Sequence, residues 1–100
     1  MRPIHVADLD RRRPVLILTR DLVRPHMTRV TVAPITTTVR GLSTEVPVGP
    51  RNGLQAASVV SCDNVVTIPT DVLGRQIGVL HDDQEPGLAA AIVAAFDLDR

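Results

Sequence analysis

Branched side chains decide what this chain can fold into. Fifteen of its 100 residues are valine, and threonines are scattered among them. Because branching at Cβ stiffens a side chain and suits a pleated surface, such residues favour strands over helices. We therefore expect a mainly β protein, a small barrel or curled sheet. The pattern predicts seven strands, at Ile4–Leu9, Val15–Thr19, Thr28–Thr38, Thr44–Val48, Ser58–Ser61, Val65–Ile68 and Gln76–Leu80.

One longer helix is predicted, at the C-terminal end. Acids and a proline at positions 82–86 are typical of a helix start, and the apolar stretch Leu88–Phe96 follows them. Leu88, Ile92 and Ala95 or Phe96 would share one face of this helix. The opposite side carries alanine and valine rather than charge, so the helix needs cover on more than one side. In a chain this small, that need predicts a homodimer.

Two local signals interrupt the strand pattern. Pro34 donates no ladder hydrogen bond, so we expect it at a bulge or an edge. The segment Thr70–Arg75 predicts a short helical turn with Thr70 as its N-cap.

The charge is unevenly distributed along what we expect to be a single domain, residues 1–100. Formal net charge is zero, which argues against strong nonspecific binding of nucleic acid. Residues 1–51 nevertheless hold nine arginines against four acids, whereas residues 52–100 hold two arginines against seven acids. The chain contains arginine but no lysine. The planar guanidinium group of arginine can bind two phosphate oxygens at once. The basic half is the half to search for an anionic ligand.

Several classes of protein are disfavoured. The run Leu88–Phe96 is far shorter than the ~20 residues that cross a bilayer, and the N-terminus lacks the apolar stretch of a signal peptide, so a cytoplasmic protein is expected. A lone Cys62 allows no multi-cysteine zinc site. His81 precedes two aspartates, but a helix start explains those acids better than a metal does. With Phe96 as the one aromatic residue, the chain cannot grip bases by stacking on aromatic rings.

Three stretches together resemble the MazF/PemK toxin family. The first is Arg13-Pro14-Val15-Leu16-Ile17-Leu18, similar to the family's arginine-proline step into a buried strand. The second is the strand ending in Ile35-Thr36, followed by Leu42-Ser43-Thr44-Glu45-Val46. The third runs from Gly53 to Leu80. The resemblance covers about residues 4–96 and rests on the order and spacing of these stretches. Only three residues separate Leu9 from Arg13, a shorter first loop than is usual in the family, so that loop's substrate contacts are not carried over.

The resemblance implies a fold and an activity. The fold is an SH3-like barrel of the CcdB/PemK type with a C-terminal helix. The activity is sequence-specific cleavage of single-stranded RNA by the ribose 2′-OH, which yields 2′,3′-cyclic phosphate and 5′-OH ends. It needs neither a metal nor another cofactor, because the nucleophile is tethered beside the phosphorus. Arg13 matches the family's catalytic arginine and Thr36 its catalytic threonine or serine.

Other polar residues of the basic half are candidates for contact with RNA. A guanidinium binds phosphoryl oxygens and a hydroxyl can donate to them, although such side chains are more often merely solvated. His26 could also titrate near neutral pH, but an idle surface histidine is the simpler interpretation. The predicted RNA-binding residues are Arg11, Arg12, Arg24, His26, Arg29, Thr37, Thr38 and Arg40.

The resemblance also implies partners. A MazE-like antitoxin would cover the basic groove with a disordered, acidic C-terminal segment. Two alternatives stay open at this point: a CcdB-like gyrase-binding toxin, and a non-catalytic interaction module on the same fold. Arg13 and Thr36 discriminate between them, because an endoribonuclease needs both residues and a gyrase poison does not.

Overall fold

The computed structural model of the chain describes residues 1–20 and 24–98. Within these residues, antiparallel strands are followed by one α-helix, with short 3-10 turns between several of them. The strands are β1 (Arg2–Asp8), β2 (Arg12–Ile17), β3 (Arg29–Thr36), β4 (Glu45–Val48), β5 (Ser58–Ser61), β6 (Val66–Pro69) and β7 (Leu73–Leu80), and the helix is α1 (Glu85–Phe96). The predictions of a mainly β fold with a C-terminal helix are confirmed.

Strand β3 organises the sheet. Neighbouring strands follow the order β4-β5-β3-β2-β1-β7, and β6 also pairs with β3. On the edge away from β2, β3 pairs first with β6 through residues 29–32 and then with β5 through Ile35 and Thr36. The sheet therefore divides beside β3, and the turn Cys62–Asn64 connects its two branches.

Pro34 lies at this division. Pro34 faces Val15 of β2 in an unbroken register, so the prediction that it marks a bulge or an edge is wrong. On its other side it falls between the residues that pair with β6 and those that pair with β5. A residue without an N–H fits there, because a missing donor matters little where the ladder changes partner.

Alternation along the strands gives the sheet two buried faces. Helix α1 covers the first face, where Leu88 and Ala91 join buried residues of β1 to β5 and β7, such as Leu16 and Val60. The second face is smaller and is closed by Ile68 of β6 and partly buried residues around Leu9, Val72 and Leu73. Its buried members are Ala7, Val15, Ile17, Val30, Val32 and Ile68.

Helix α1 is fastened to the first strand by an ion pair. The Arg2 guanidinium donates to both carboxylate oxygens of Glu85, at 3.0 and 2.9 Å, and to the carbonyl of Leu18 at 3.1 Å. The hydrogen bond from Arg2 holds the pKa of Glu85 below its ordinary value. The predicted face of the helix is confirmed for Leu88, Ile92 and Ala95, whereas Phe96 is 55% exposed.

Two predictions about local structure need correction. Only Thr70–Val72 forms a 3-10 turn, because β7 already begins at Leu73, which pairs with Ala7. Thr70 is not the N-cap of this turn; its hydroxyl donates to the carbonyl of Thr28 instead. Among the described residues, no helix is long and apolar enough to cross a membrane.

Candidate active site

A groove of about 620 Å³ opens where the sheet divides. Pro34 and Thr36 of β3 contribute to its lining, and so does Arg13 of β2. Around them lie the turn between β1 and β2, the loop after β3, and the turn between β5 and β6. The remaining lining residues are Leu9, Asp10, Thr38, Arg40, Leu42, Glu45, Ser61, Asp63, Asn64 and Val66. We refer to this set as the Arg13–Thr36 groove.

The register of β2 and β3 brings the two predicted catalytic residues together. Val15 faces Pro34, and continuing that register by two residues sets Arg13 opposite Thr36. Alternation then puts both side chains on the same face as Val15 and Pro34. Directly opposed residues of an antiparallel pair have Cβ atoms about 5 Å apart. Two groups 23 positions apart in the sequence can therefore contact one phosphodiester.

The Arg13 side chain is held in place and still has unused hydrogen-bond donors. It is 21% exposed, and one terminal nitrogen donates to Asp10 at 3.1 Å. Its buried Nε has no hydrogen-bond partner among the described residues. Since a guanidinium has five N–H donors, the group can bind phosphoryl oxygens without first leaving Asp10.

Thr36 ends its strand through its own side chain. Its hydroxyl oxygen accepts a hydrogen bond from the backbone N–H of Thr38 at 3.1 Å. This short side-chain turn explains why β3 ends at Thr36 rather than at the expected Thr38. The hydroxyl hydrogen stays available for donation, because the oxygen acts as acceptor in this bond.

Glu45 fixes the loop that follows β3. Its Oε1 accepts from the backbone N–H groups of Arg40, Gly41 and Leu42, at 3.2, 2.9 and 3.1 Å. Gly41 adopts φ +75°, a left-handed conformation that favours glycine and lets successive N–H groups converge. The carboxylate thereby holds Arg40 and Leu42 beside the groove.

The groove carries both signs of charge. Two arginines, Arg13 and Arg40, line it with three acids. Each acid has a partner: Asp10 accepts from Arg13, Glu45 accepts from the loop backbone, and Asp63 accepts from the Thr44 hydroxyl at 2.6 Å. The acids therefore help to arrange the wall of the groove rather than leaving it uniformly anionic.

Sequence reasoning missed these acids, although two had a readable signal. Asp10 stands three residues before Arg13, and Glu45 stands three residues after Leu42, which is a typical spacing for local pairing. Asp63 had no such signal, since its contact with Thr44 depends on the neighbouring turns of the folded sheet.

Of the predicted RNA-binding residues, two line the groove with the catalytic pair: Thr38 and Arg40. Arg11 is exposed in the turn between β1 and β2. Arg12 forms an ion pair with Asp8 at 3.0 Å. Thr37 lines a second groove instead.

The remaining predicted contacts lie at the far end of β3. Arg29 begins that strand, seven residues before Thr36, which corresponds to about 23 Å of extended chain. The 3-10 turn Arg24–His26 precedes it. The loop that holds Arg24 and His26 therefore leads into the end of β3 that is opposite to Thr36.

Two other features bear on the chemistry. Cys62 is buried. Its burial, and to a smaller extent the negative charge of Asp63, raise the pKa of the thiol to about 11, so Cys62 is not an activated nucleophile. Within residues 1–20 and 24–98, no group of three or more His, Cys, Asp or Glu side chains could hold a metal ion.

Comparison with known proteins identifies the family. Residues 4–96 match the family of PemK-like, MazF-like toxins of type II toxin–antitoxin systems. The chain belongs to this family. The extent of the match agrees with the predicted resemblance, and the fold is the one the resemblance implied.

Individual relatives agree with this membership. The chain is 72% identical over 99 residues to endoribonuclease MazF3 of Mycobacterium tuberculosis, covering 99% of this chain and 96% of that protein. It is 38% identical to the probable endoribonuclease MazF5 of the same species, covering 89% and 83%. Among solved structures, M. tuberculosis toxin MazF-mt6 superposes with a TM-score of 0.97 at 70% identity, covering 98% of this chain and 99% of that one. A mycobacterial endoribonuclease in complex with its cognate antitoxin gives 0.87 at 27% identity, covering 98% and 94%.

Proposed function

We propose that this chain is an endoribonuclease toxin that cleaves single-stranded RNA at specific sequences without a metal ion. The observation that carries the proposal is the opposition of Arg13 and Thr36 across β2 and β3 within one groove. The named relatives support it, since those most similar in sequence are endoribonucleases.

The proposed reaction uses a nucleophile supplied by the substrate. The ribose 2′-OH loses its proton and attacks the adjacent phosphorus. The bond to the 5′-oxygen of the next nucleotide breaks and that oxygen takes up a proton, so a 2′,3′-cyclic phosphate and a 5′-OH end remain. Because nucleophile and phosphorus belong to the same nucleotide, the protein gains from holding the attack geometry rather than from activating water. We propose a metal-independent reaction because no water molecule has to be activated.

Arg13 and Thr36 act on the charge that grows in the transition state. The guanidinium binds the non-bridging oxygens, and the Thr36 hydroxyl donates a hydrogen bond to one of them. Donors already in place stabilise the phosphorane without reorganisation. Arginine is a poor general base, so the role of Arg13 is electrostatic. The described residues bring no histidine to the groove, which removes His26 from the proposed chemistry.

We assign contacts with the rest of the RNA according to distance from Arg13 and Thr36. Thr38 and Arg40, which line the groove, contact the phosphates next to the scissile bond. Arg11 and Arg12 directly precede Arg13 in the sequence and contact phosphates further out. Arg24, His26 and Arg29 serve only an RNA long enough to reach the far end of β3.

Two protein partners complete the proposal. One solved relative is described in complex with its cognate antitoxin, and we assign a MazE-like antitoxin here, whose acidic C-terminal segment competes with RNA for Arg13 and Arg40. A homodimer follows from helix α1: an apolar groove of about 530 Å³ runs along it past Ile92, Val93 and the exposed Phe96. The family and its named relatives favour this function over the gyrase-binding and non-catalytic alternatives.

The test is cleavage of a long single-stranded RNA by the purified protein in EDTA. We expect discrete fragments with 5′-OH ends, which polynucleotide kinase labels directly, and 2′,3′-cyclic phosphate at the other ends. Intact RNA across varied substrates would contradict the proposal. Activity that EDTA abolishes would contradict metal independence alone.

A further inference from the structure

A second groove of about 470 Å³ lies on the other face of the sheet from the Arg13–Thr36 groove. Val6 and Pro14, which face each other in the β1–β2 register, line it together with Ile77. The segment Gly53–Ala56 also lines it, as do Thr37, Ser58 and Arg75. We refer to this set as the side groove.

The side groove starts one residue away from the proposed catalytic pair on both strands. Pro14 follows Arg13 within β2, so alternation puts their side chains on opposite faces of the sheet. Thr37 is the first residue after β3 and lines the side groove. A strand of RNA whose phosphate contacts Arg13 and Thr36 therefore reaches the side groove with a neighbouring nucleotide by passing over this end of the sheet.

The chemistry of the side groove suits a nucleobase. Its apolar residues, such as Pro14, Leu54 and Ile77, offer a surface for the flat base. Within the described residues, the side-chain amide of Gln55 makes no hydrogen bond and the Arg75 guanidinium makes no ion pair, so both are available. An amide can read the polar edge of a base, and a guanidinium plane can stack on a base in place of an aromatic ring. No acid of the described part of the chain lines this groove, in contrast to the Arg13–Thr36 groove.

The wall that carries Gln55 is held firmly at its start. The buried Asn52 side chain accepts from Gly49 N–H at 3.0 Å and donates to the Val79 carbonyl at 2.9 Å. Gly53 adopts φ +85° and packs directly on Gly78 of β7. A wall fixed before binding can discriminate between bases, because the ligand does not bear the cost of ordering it.

We propose that the side groove binds the base of a nucleotide flanking the scissile phosphate, and that Gln55 and Arg75 determine which base is accepted. This inference rests on the proposed function. It assigns sequence choice to a surface separate from the residues that act on the phosphate.

The experiment maps cleavage sites by sequencing the 5′-OH ends that purified protein produces from a long, mixed-sequence RNA. Wild-type sites should share a preferred base at one position beside the cut. Gln55→Ala should weaken that preference by about tenfold at this position and leave the other positions unchanged. Gln55→Glu, which replaces the amide donor by an acceptor, should move the preference toward bases that present an amino group, such as cytosine. Arg75→Ala should raise KM on a short RNA severalfold with little change in kcat.

Gln76→Ala is the matched control. Gln76 has the same side chain as Gln55 and is exposed beside Arg75 on β7, but it does not line the side groove. Gln55 is exposed, so its replacement should not disturb folding. Unchanged site choice in both Gln55 variants, together with unchanged kinetics in Arg75→Ala, would overturn the side groove while leaving the proposed function intact. Absence of cleavage by the wild-type protein would instead contradict the proposed function, and this inference with it.

Discussion

Arg13 on β2 and Thr36 on β3 stand opposite each other in the continued register of two antiparallel strands, and both line one groove. The pairing depends on the whole sheet: Val15 and Ile17 on one strand, and Val32 and Pro34 on the other, set the register that brings the two polar residues together. Burial of Val15, Ile17 and Val32 fixes the register, because a slip by one residue would turn every side chain to the other face.

Loosening the loop after β3 should weaken substrate binding. Glu45→Ala removes the acceptor shared by the backbone N–H groups of Arg40, Gly41 and Leu42. Because Arg40 then loses its fixed place beside the groove, we expect kcat/KM to fall by about tenfold, mainly through KM. Glu45→Gln keeps one carbonyl acceptor and should recover part of the loss. Steady-state kinetics on a short RNA measure both effects.

Ser43→Ala is the control for this loop, since Ser43 is exposed and makes no side-chain hydrogen bond among the described residues. It should behave like the wild type. If Glu45→Ala also kept wild-type KM and kcat, the role given to the loop would be wrong.

The packing of Gly53 on Gly78 should tolerate no side chain. A Cβ on Gly78 would overlap the carbonyl oxygen of Asn52, a backbone atom that cannot move aside as a flexible side chain can. We expect Gly78→Ala to lower the free energy of unfolding by about 2 kcal/mol or more. Gly87→Ala is the matched control: its Cβ meets nothing within 4 Å on helix α1, and alanine should stabilise the helix slightly.

Far-UV circular dichroism at fixed protein concentration is the suitable measurement, since the chain contains neither tryptophan nor tyrosine. Equal melting temperatures for Gly78→Ala and the wild type would show that the contact is not close-packed.

The Arg2–Glu85 ion pair should make stability depend on pH in the acid range. The pKa of Glu85 is lowered in the fold, so its contribution is complete above the ordinary value of 4.5 and is lost as pH falls through the lowered pKa. Both side chains are partly exposed, so Glu85→Gln should cost only about 0.5–1 kcal/mol at pH 7.

The difference in stability between wild type and Glu85→Gln should therefore shrink below pH 4.5 and disappear at lower pH. Urea unfolding at several pH values tests this. Asp71→Asn provides the comparison, because Asp71 is exposed and makes no ion pair among the described residues. A gap between wild type and Glu85→Gln that stays constant down to pH 3 would contradict the assignment.

Much of the fold could be predicted from local pattern. Branched residues marked all seven strands, and the acids and Pro86 marked the start of the helix region, because both signals act within a few residues. The errors involve long-range partners. Leu73 joins β7 because Ala7 lies opposite it, and Pro34 is accommodated because two different strands flank β3. Neither partner can be read from the local sequence.

The candidate site shows the same limit. Arg13 and Thr36 could be named from the family resemblance, but their opposition needed the register of β2 and β3. Asp63 was overlooked because its contact with Thr44 depends on two neighbouring turns of the folded sheet, which no local sequence pattern displays.

The central claim is that Arg13 and Thr36 act together on one phosphate, and single-turnover cleavage of a short RNA in EDTA tests it most directly. We expect Arg13→Ala and Thr36→Val each to slow cleavage by about a hundredfold or more, and the double variant to be little slower than the worse single variant. Arg51→Ala and Thr67→Val, which alter matched residues that do not line the groove, should keep the wild-type rate. Wild-type rates in Arg13→Ala and Thr36→Val, with the proteins folded, would contradict the account.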